Sequence, residues 1–299
     1  HGAWGRGELS VMHAVSSPYR ERSHFDGQDV LESGAADVLS SRDGWLNRAL
    51  SHTEGVEAIA VAGALPLLLR GQAHAASWAP SILPEPDDDT MRRLMRMYEN
   101  DEPLHAALQD AQSLDMAAGD VDGDARQVAR GRSYEPLMQA GANLIASGAA
   151  GVVALSLGGW DTHRNQGAAN GLLAGRLQQL DRGMASVRKT LGEKWARTAV
   201  LVVTEFGRTV RMNGSLGSDH GTGGVAFLAG GAVQGGRLLG EWPGLSSSAL
   251  YEDRDLYPAN DLRALFKGVL RDHLGVPRNS LDRHVFPDSR GVAPLDGLV

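Results

Sequence analysis

An α/β fold, with a mostly parallel central sheet sandwiched between helix layers, is what this sequence predicts, and two patterns carry the prediction. Apolar runs at residues 9–15, 56–62, 152–157, 199–203 and 225–229 are short and barely alternate, as expected of strands covered on both faces. Helical spacing fills the intervals at 23–33, 44–50, 90–116, 121–147, 167–191 and 260–274, and strand alternating with helix is the signature of parallel layers. With 299 residues, 42% of them hydrophobic, the chain is long enough to bury a large core in one domain.

That domain is expected over residues 1–287. The clearest internal boundary is the proline- and acid-rich segment 80–89, which opens a helical insertion over about 88–148. The insertion reads either as a lid on the sheet or as a solvated helical hairpin. Residues 288–299 lack periodicity and read as a loose C-terminal tail. The 38 glycines cluster at strand-to-loop junctions and form no repeat, which excludes a fibrous pattern.

Composition narrows the function. A formal charge of -7 without clustered Lys and Arg argues against a nucleic-acid partner. No stretch approaches the roughly 18 uninterrupted apolar residues of a membrane span. The absence of cysteine excludes disulfides and thiolate chemistry, so any metal must be held by His, Asp, Glu or other oxygen donors. The chain opens at His1 without an initiator Met or a basic-then-apolar leader, and so reads as part of a longer protein.

Chemistry-bearing residues gather where apolar runs end. The first run out is Gly158-Gly159-Trp160-Asp161-Thr162-His163, a glycine turn that delivers a carboxylate and an imidazole two residues apart. Those types suit one cation; Asp161 also suits the cap of a helix starting near Asn165, which would leave His163 on the surface. The second is Thr204-Glu205-Phe206-Gly207-Arg208. Here Glu205 falls at the carboxyl edge of a strand, where ligands bind in open α/β sheets. Arg208 either pairs with Glu205 or holds an anionic substrate group. In the glycine-rich loop 213–224, Asp219 and His220 are the pair able to coordinate, and the glycines would allow backbone to approach a ligand or metal.

Ser23 occupies the expected N-cap of the helix 23–33. There the backbone N–H groups favour an anion, so its hydroxyl is a candidate nucleophile if a metal lowers its pKa. It is equally an ordinary cap, in a capping box with Asp26. His24 and Asp26 fit roles behind a metal or against substrate, or a buried His–carboxylate pair. His1, His13, His52, His74, His105, His273 and His284 lack a partner at ligand spacing, and the methionines of 91–97 sit at helical spacing for packing. No Gly-x-Ser-x-Gly elbow and no phosphate loop with Gly-Lys-Ser/Thr is present.

Six segments taken together resemble a known bacterial family. They are residues 7–15, 22–29, 158–163, 204–208, 218–224 and 235–244, and their combination is similar to the domain of unknown function 1501, a branch of the alkaline phosphatase and sulfatase superfamily. The resemblance implies a three-layer αβα sandwich of alkaline phosphatase-like type, with Ser23 as nucleophile at a helix start that Ser33 and Gly34 close. It implies one or two divalent ions, zinc, manganese or magnesium. One would be held by Asp161, His163 and His220, the other by Glu205, where Phe206 replaces the usual His. Such relatives also carry a twin-arginine export signal and a first strand with an acidic ligand, both absent here; a strand missing from the sheet centre would expose core surface. A periplasmic or exported metal-dependent hydrolase of small phosphate or sulfate esters is thus implied. The alternative is a non-catalytic exported binding or scaffold protein with a degenerate site.

Overall fold

The structure, a computed structural model, describes residues 2–81, 86–121 and 132–299. His1, part of the 80–89 boundary and the start of the helix expected at 121–147 lie outside the described residues. The elements run α1 (Gly2–Gly5), β1 (Leu9–Ser16), α2 (His24–Ser33), α3 (Trp45–Leu50), β2 (Ala58–Val61), β3 (Ala75–Trp78), α4 (Asp88–Met97), α5 (Glu102–Ala118), α6 (Tyr134–Ser147) and β4 (Val152–Leu155). Then follow α7 (Leu172–Leu191), β5 (Val200–Val202), β6 (Gly224–Ala229), β7 (Arg237–Leu239), β8 (Asn260–Asp261) and α8 (Leu262–Leu274). The class is mixed α/β.

All five predicted strands form, but in two sheets. One is the parallel set β3-β2-β4; the other is β5-β6-β1-β7 with β8 also on β1. In the second, β1 is parallel to β7 and β8, whereas β6 runs antiparallel to both β1 and β5. The expected single sheet is therefore corrected to two; four of the six strand pairings are parallel, and β6 is the strand that runs against its neighbours. An apolar run carries no sign of direction, and the connection from β5 to β6 holds no helix that could return the chain in parallel. Three short strands, β3, β7 and β8, escaped prediction because none shows an apolar run long enough to register.

Helices lie against both faces of the sheets. Ala58 and Ala60 of β2 enter a core with Met12, Leu228, Leu265 and Phe266, while Ile59 and Val61 face Leu137, Ala140 and Leu144 of α6. The stack of Trp45 on Phe266, 4.6 Å between centroids, joins α3 to α8. β4 and β5 both contribute to the first of these cores and to a further cluster with Tyr134, Met138 and Leu180, yet they do not pair, and every residue of both is half-buried where all of β2 is buried.

The single helix expected at 90–116 is two. Asp101 accepts from the Leu104 amide and Pro103 sits in the first turn, so a new helix begins where the first ends. α4 buries none of its residues, while α6, at the end of the expected insertion, is core. The C-terminal residues expected to be loose are docked. Leu298 is buried, the Gln234 amide donates to its carbonyl, and the Leu295 amide donates to Ala264. Periodicity missed this segment because it is held by backbone bonds and single anchors.

Arg48 ties the entry of α3 to the chain around it, binding the Asp43 carboxylate at 2.6 Å and the carbonyls of Ser33 and Val285. Burial pushes the Asp43 carboxyl up, but hydrogen bonds from Ser41 and Arg48 outweigh it and hold the group below its ordinary 3.8. A depressed folded value means this stabilisation is present above pH 3.8 and is lost as pH falls through the folded value. Asp43→Asn is expected to flatten the acid limb of a urea-midpoint-against-pH curve, and an unchanged limb would refute the assignment.

Candidate metal centre

Three loops deliver the site. After β4 the chain turns at Gly159, in the left-handed region at φ 91°, and the Tyr134 hydroxyl fixes the turn by donating to the Gly158 carbonyl at 2.6 Å. That places Asp161 in the open. After β5, residues 207–209 pair with 219–222: the Gly221 amide donates to Gly207, the Gly207 amide to Thr222 and the Thr209 amide to Asp219, each at 2.9 Å. The third loop is the entry to α2. The glycines here let backbone meet backbone. A Cβ on Gly221 would lie 2.5 Å from the Arg208 carbonyl carbon, and one on Gly217 would lie 2.2 Å from that of His163.

Three imidazoles converge on Asp161. The Nε2 atoms of His163 and His220 stand 2.9 and 3.1 Å from its Oδ1, and that of His24 stands 3.4 Å from its Oδ2. The Nε2 atoms of His163 and His220 are 3.1 Å apart. Each ring is oriented from behind through Nδ1. His24 meets the Glu205 carboxylate at 2.6 Å, His163 meets Asp219 at 3.0 Å, and His220 meets the Arg22 carbonyl at 2.9 Å. A carbonyl or carboxylate only accepts, so a cation lying between the rings and Asp161 would take the Nε2 lone pairs while each Nδ1–H donates to its acceptor behind; without a cation, Asp161 is itself an acceptor for an Nε2–H. Rings tied back in this way are the usual support of metal-binding histidines.

The donor spacing fits a cation. Ligands at about 2.1 Å from an ion lie roughly 3.0 to 3.4 Å from one another in octahedral or tetrahedral geometry. His24, Asp161 and His220 offer donor atoms all within 4.8 Å of one another. His163 joins through the contacts above.

Two expected roles exchange places. Glu205, read as a ligand, stands behind His24 with its second oxygen accepting from Thr204 at 2.8 Å, and His24 takes the forward position. Arg208 pairs with Asp161 instead of Glu205; its remaining nitrogens bind Ser218, at 3.1 Å through Nε. Burial raises the Asp161 carboxyl, but the bond and charge of Arg208 and the nearby histidines outweigh this and hold it below the ordinary range. The Asp219 carboxyl is likewise held low, by Asn213 and then His163.

Ser23 is the N-cap of α2, as the sequence indicates, and Gly34 closes the helix in the left-handed conformation. The capping box is not formed. The Ser23 side chain makes no capping bond, and Asp26 instead accepts from the Tyr19 hydroxyl at 3.5 Å, which itself receives the Ser23 amide at 3.0 Å. Asp26 is thus a helix-entry residue. Phe206 is buried with its ring 4.9 Å from His24 and 5.0 Å from His220, a floor beneath both. Sequence reasoning passed over Arg22, whose guanidinium is fixed at 2.8 Å by the fully buried Asp255 so that its carbonyl can hold His220. A backbone acceptor leaves no signal in side-chain patterns.

A fold of this class with histidines supported from behind around a carboxylate defines a candidate metal-binding α/β protein. The chain belongs to the family described as protein of unknown function (DUF1501), whose model matches residues 1–285. No curated protein and no solved structure matches it.

Proposed function

We propose that this protein is a metal-dependent hydrolase of phosphate or sulfate esters, built on a three-layer αβα sandwich of the alkaline phosphatase and sulfatase type and working in an exported compartment. The observation that carries the proposal is the convergence of three imidazole Nε2 atoms on one carboxylate from three separate loops. Asp161, His163, His220 and His24 would hold the ion. A divalent cation such as zinc, manganese or magnesium supplies, when bound, neutralisation of the non-bridging oxygens and a lowered pKa for the attacking oxygen.

The chain's own residues do the rest. Ser23 presents a hydroxyl, uncommitted to capping, at the start of a ten-residue helix whose first amides favour a negative charge. Phe206 keeps water from beneath the rings. Arg208, if Asp161 turns to a cation, is freed to steady the ester's anionic oxygens. Hydrolysis breaks the bond from phosphorus or sulfur to the ester oxygen; the alcohol leaves with a proton and water supplies the hydroxyl.

The test is elemental analysis of the purified and metal-loaded protein with turnover of aryl phosphate, phosphodiester and aryl sulfate. Ser23→Ala is expected to keep metal content and melting temperature while turnover falls by about a hundredfold or more. Unchanged turnover would leave water as nucleophile. One observation favours a second reading, a non-catalytic binding protein: the Arg208 guanidinium pairs with Asp161, the carboxylate on which the imidazoles converge. A protein that cannot be loaded with any of the three metals belongs to that reading.

A further inference from the structure

We propose that the cleft beside the candidate metal centre is a subsite for a second oxyanion, carried on the leaving group of the substrate and read by Arg164 and Arg176. This rests on the ester-hydrolase reading. The cleft, about 390 Å³, is lined by Asp161 and His163 of the candidate centre together with Arg164, Leu172 and Arg176. A group bonded to an ester held at the metal centre would have this space to enter.

The charge balance of the cleft sets the ligand class. Its one acid, Asp161, already faces Arg208 and the histidines. Among the described residues neither Arg164 nor Arg176 has a carboxylate partner, though the chain carries a net charge of -7 and acids are the commoner charge. Arg176 is nonetheless held in place: its Nε donates to the Gly159 carbonyl at 3.2 Å, and its guanidinium carbon sits 5.9 Å above the Tyr134 ring. Two of its nitrogens remain free to bind. Leu172, one helical turn earlier on the same face of α7 and half-exposed, supplies an apolar wall. Two cations and an apolar wall suit a carboxylate or phosphate on a compact organic group, and not a neutral alcohol.

Phenylphosphonate and 4-carboxyphenylphosphonate, which have no ester bond to cleave, test this by calorimetry on the intact zinc-loaded protein. The carboxylated probe is expected to bind about tenfold more tightly, as one charge-assisted contact at a partly exposed site allows. Arg164→Gln, at an exposed position that cannot disturb the core, is expected to cut the preference to about threefold. The double variant with Arg176→Gln is expected to abolish it while leaving phenylphosphonate affinity within about twofold, and Arg176→Lys is expected to retain part of it. Equal affinity for both probes, a preference that survives the double variant, or no binding of either probe overturns the proposal. Failure to turn over any ester, with the preference intact, defeats the hydrolase reading alone.

Discussion

Asp161→Ala and His220→Ala are each expected to lose bound metal and turnover together. The reason is geometric. Asp161 touches all three imidazole Nε2 atoms, so its removal deletes the donor that every other candidate ligand faces. The loss in metal affinity should exceed the roughly 10- to 100-fold that follows from removing a group supporting a ligand. That contrast supplies an internal control. Glu205→Gln and Asp219→Asn, which alter only the acceptors behind His24 and His163, are expected to fall within the 10- to 100-fold range. Equilibrium dialysis with zinc, read alongside the melting temperature, separates the two tiers. Equal metal content in Asp161→Ala and the parent protein would remove the basis of the site.

Lys267→Ala is expected to destabilise the fold by about 3 to 5 kcal/mol, the range for breaking a buried ion pair from one side. Lys267 is completely buried in α8, and its ammonium makes three bonds: 2.6 Å to the Asp282 carboxylate, 2.8 Å to the Ser289 carbonyl and 2.9 Å to the Val292 carbonyl. Two of the three acceptors, Ser289 and Val292, belong to the C-terminal segment. Removing the lysine strands them and leaves a void where the stem packed. Lys267→Met, which keeps the stem, is expected to cost less, and the difference between the two variants measures packing against charge. Urea denaturation gives both values, and a loss below about 1 kcal/mol for Lys267→Ala would show that the segment is held by other contacts.

The legible parts of this protein were those set by neighbours in sequence. The runs at 56–62 and 225–229 form strands because β-branched and apolar residues suit an extended, covered backbone whatever lies beside them. Ser23 and Gly34 bound a helix through local backbone conformation, extended at Ser23 and left-handed at Gly34. Asp161, His163 and His220 stood out because a carboxylate and imidazoles gather in the glycine-rich segments that follow apolar runs. The illegible parts depended on distant partners. Phe206 next to Glu205 read as a lost ligand, yet its ring packs under two histidines that come from other loops. Lys267 carries no local mark of burial, because Asp282 and the two carbonyls that close over it lie 15 to 25 residues on.

By itself the sequence determined the class of fold and the family, because periodicity, capping and residue type act over a few positions. Only the tertiary structure decided the direction of β6, the partner of Arg208 and the exchange of roles between His24 and Glu205. The reason is that an imidazole's useful nitrogen is chosen by whatever accepts its other proton. For His24 that acceptor lies 181 residues away, and for His220 it is a backbone carbonyl 198 residues away.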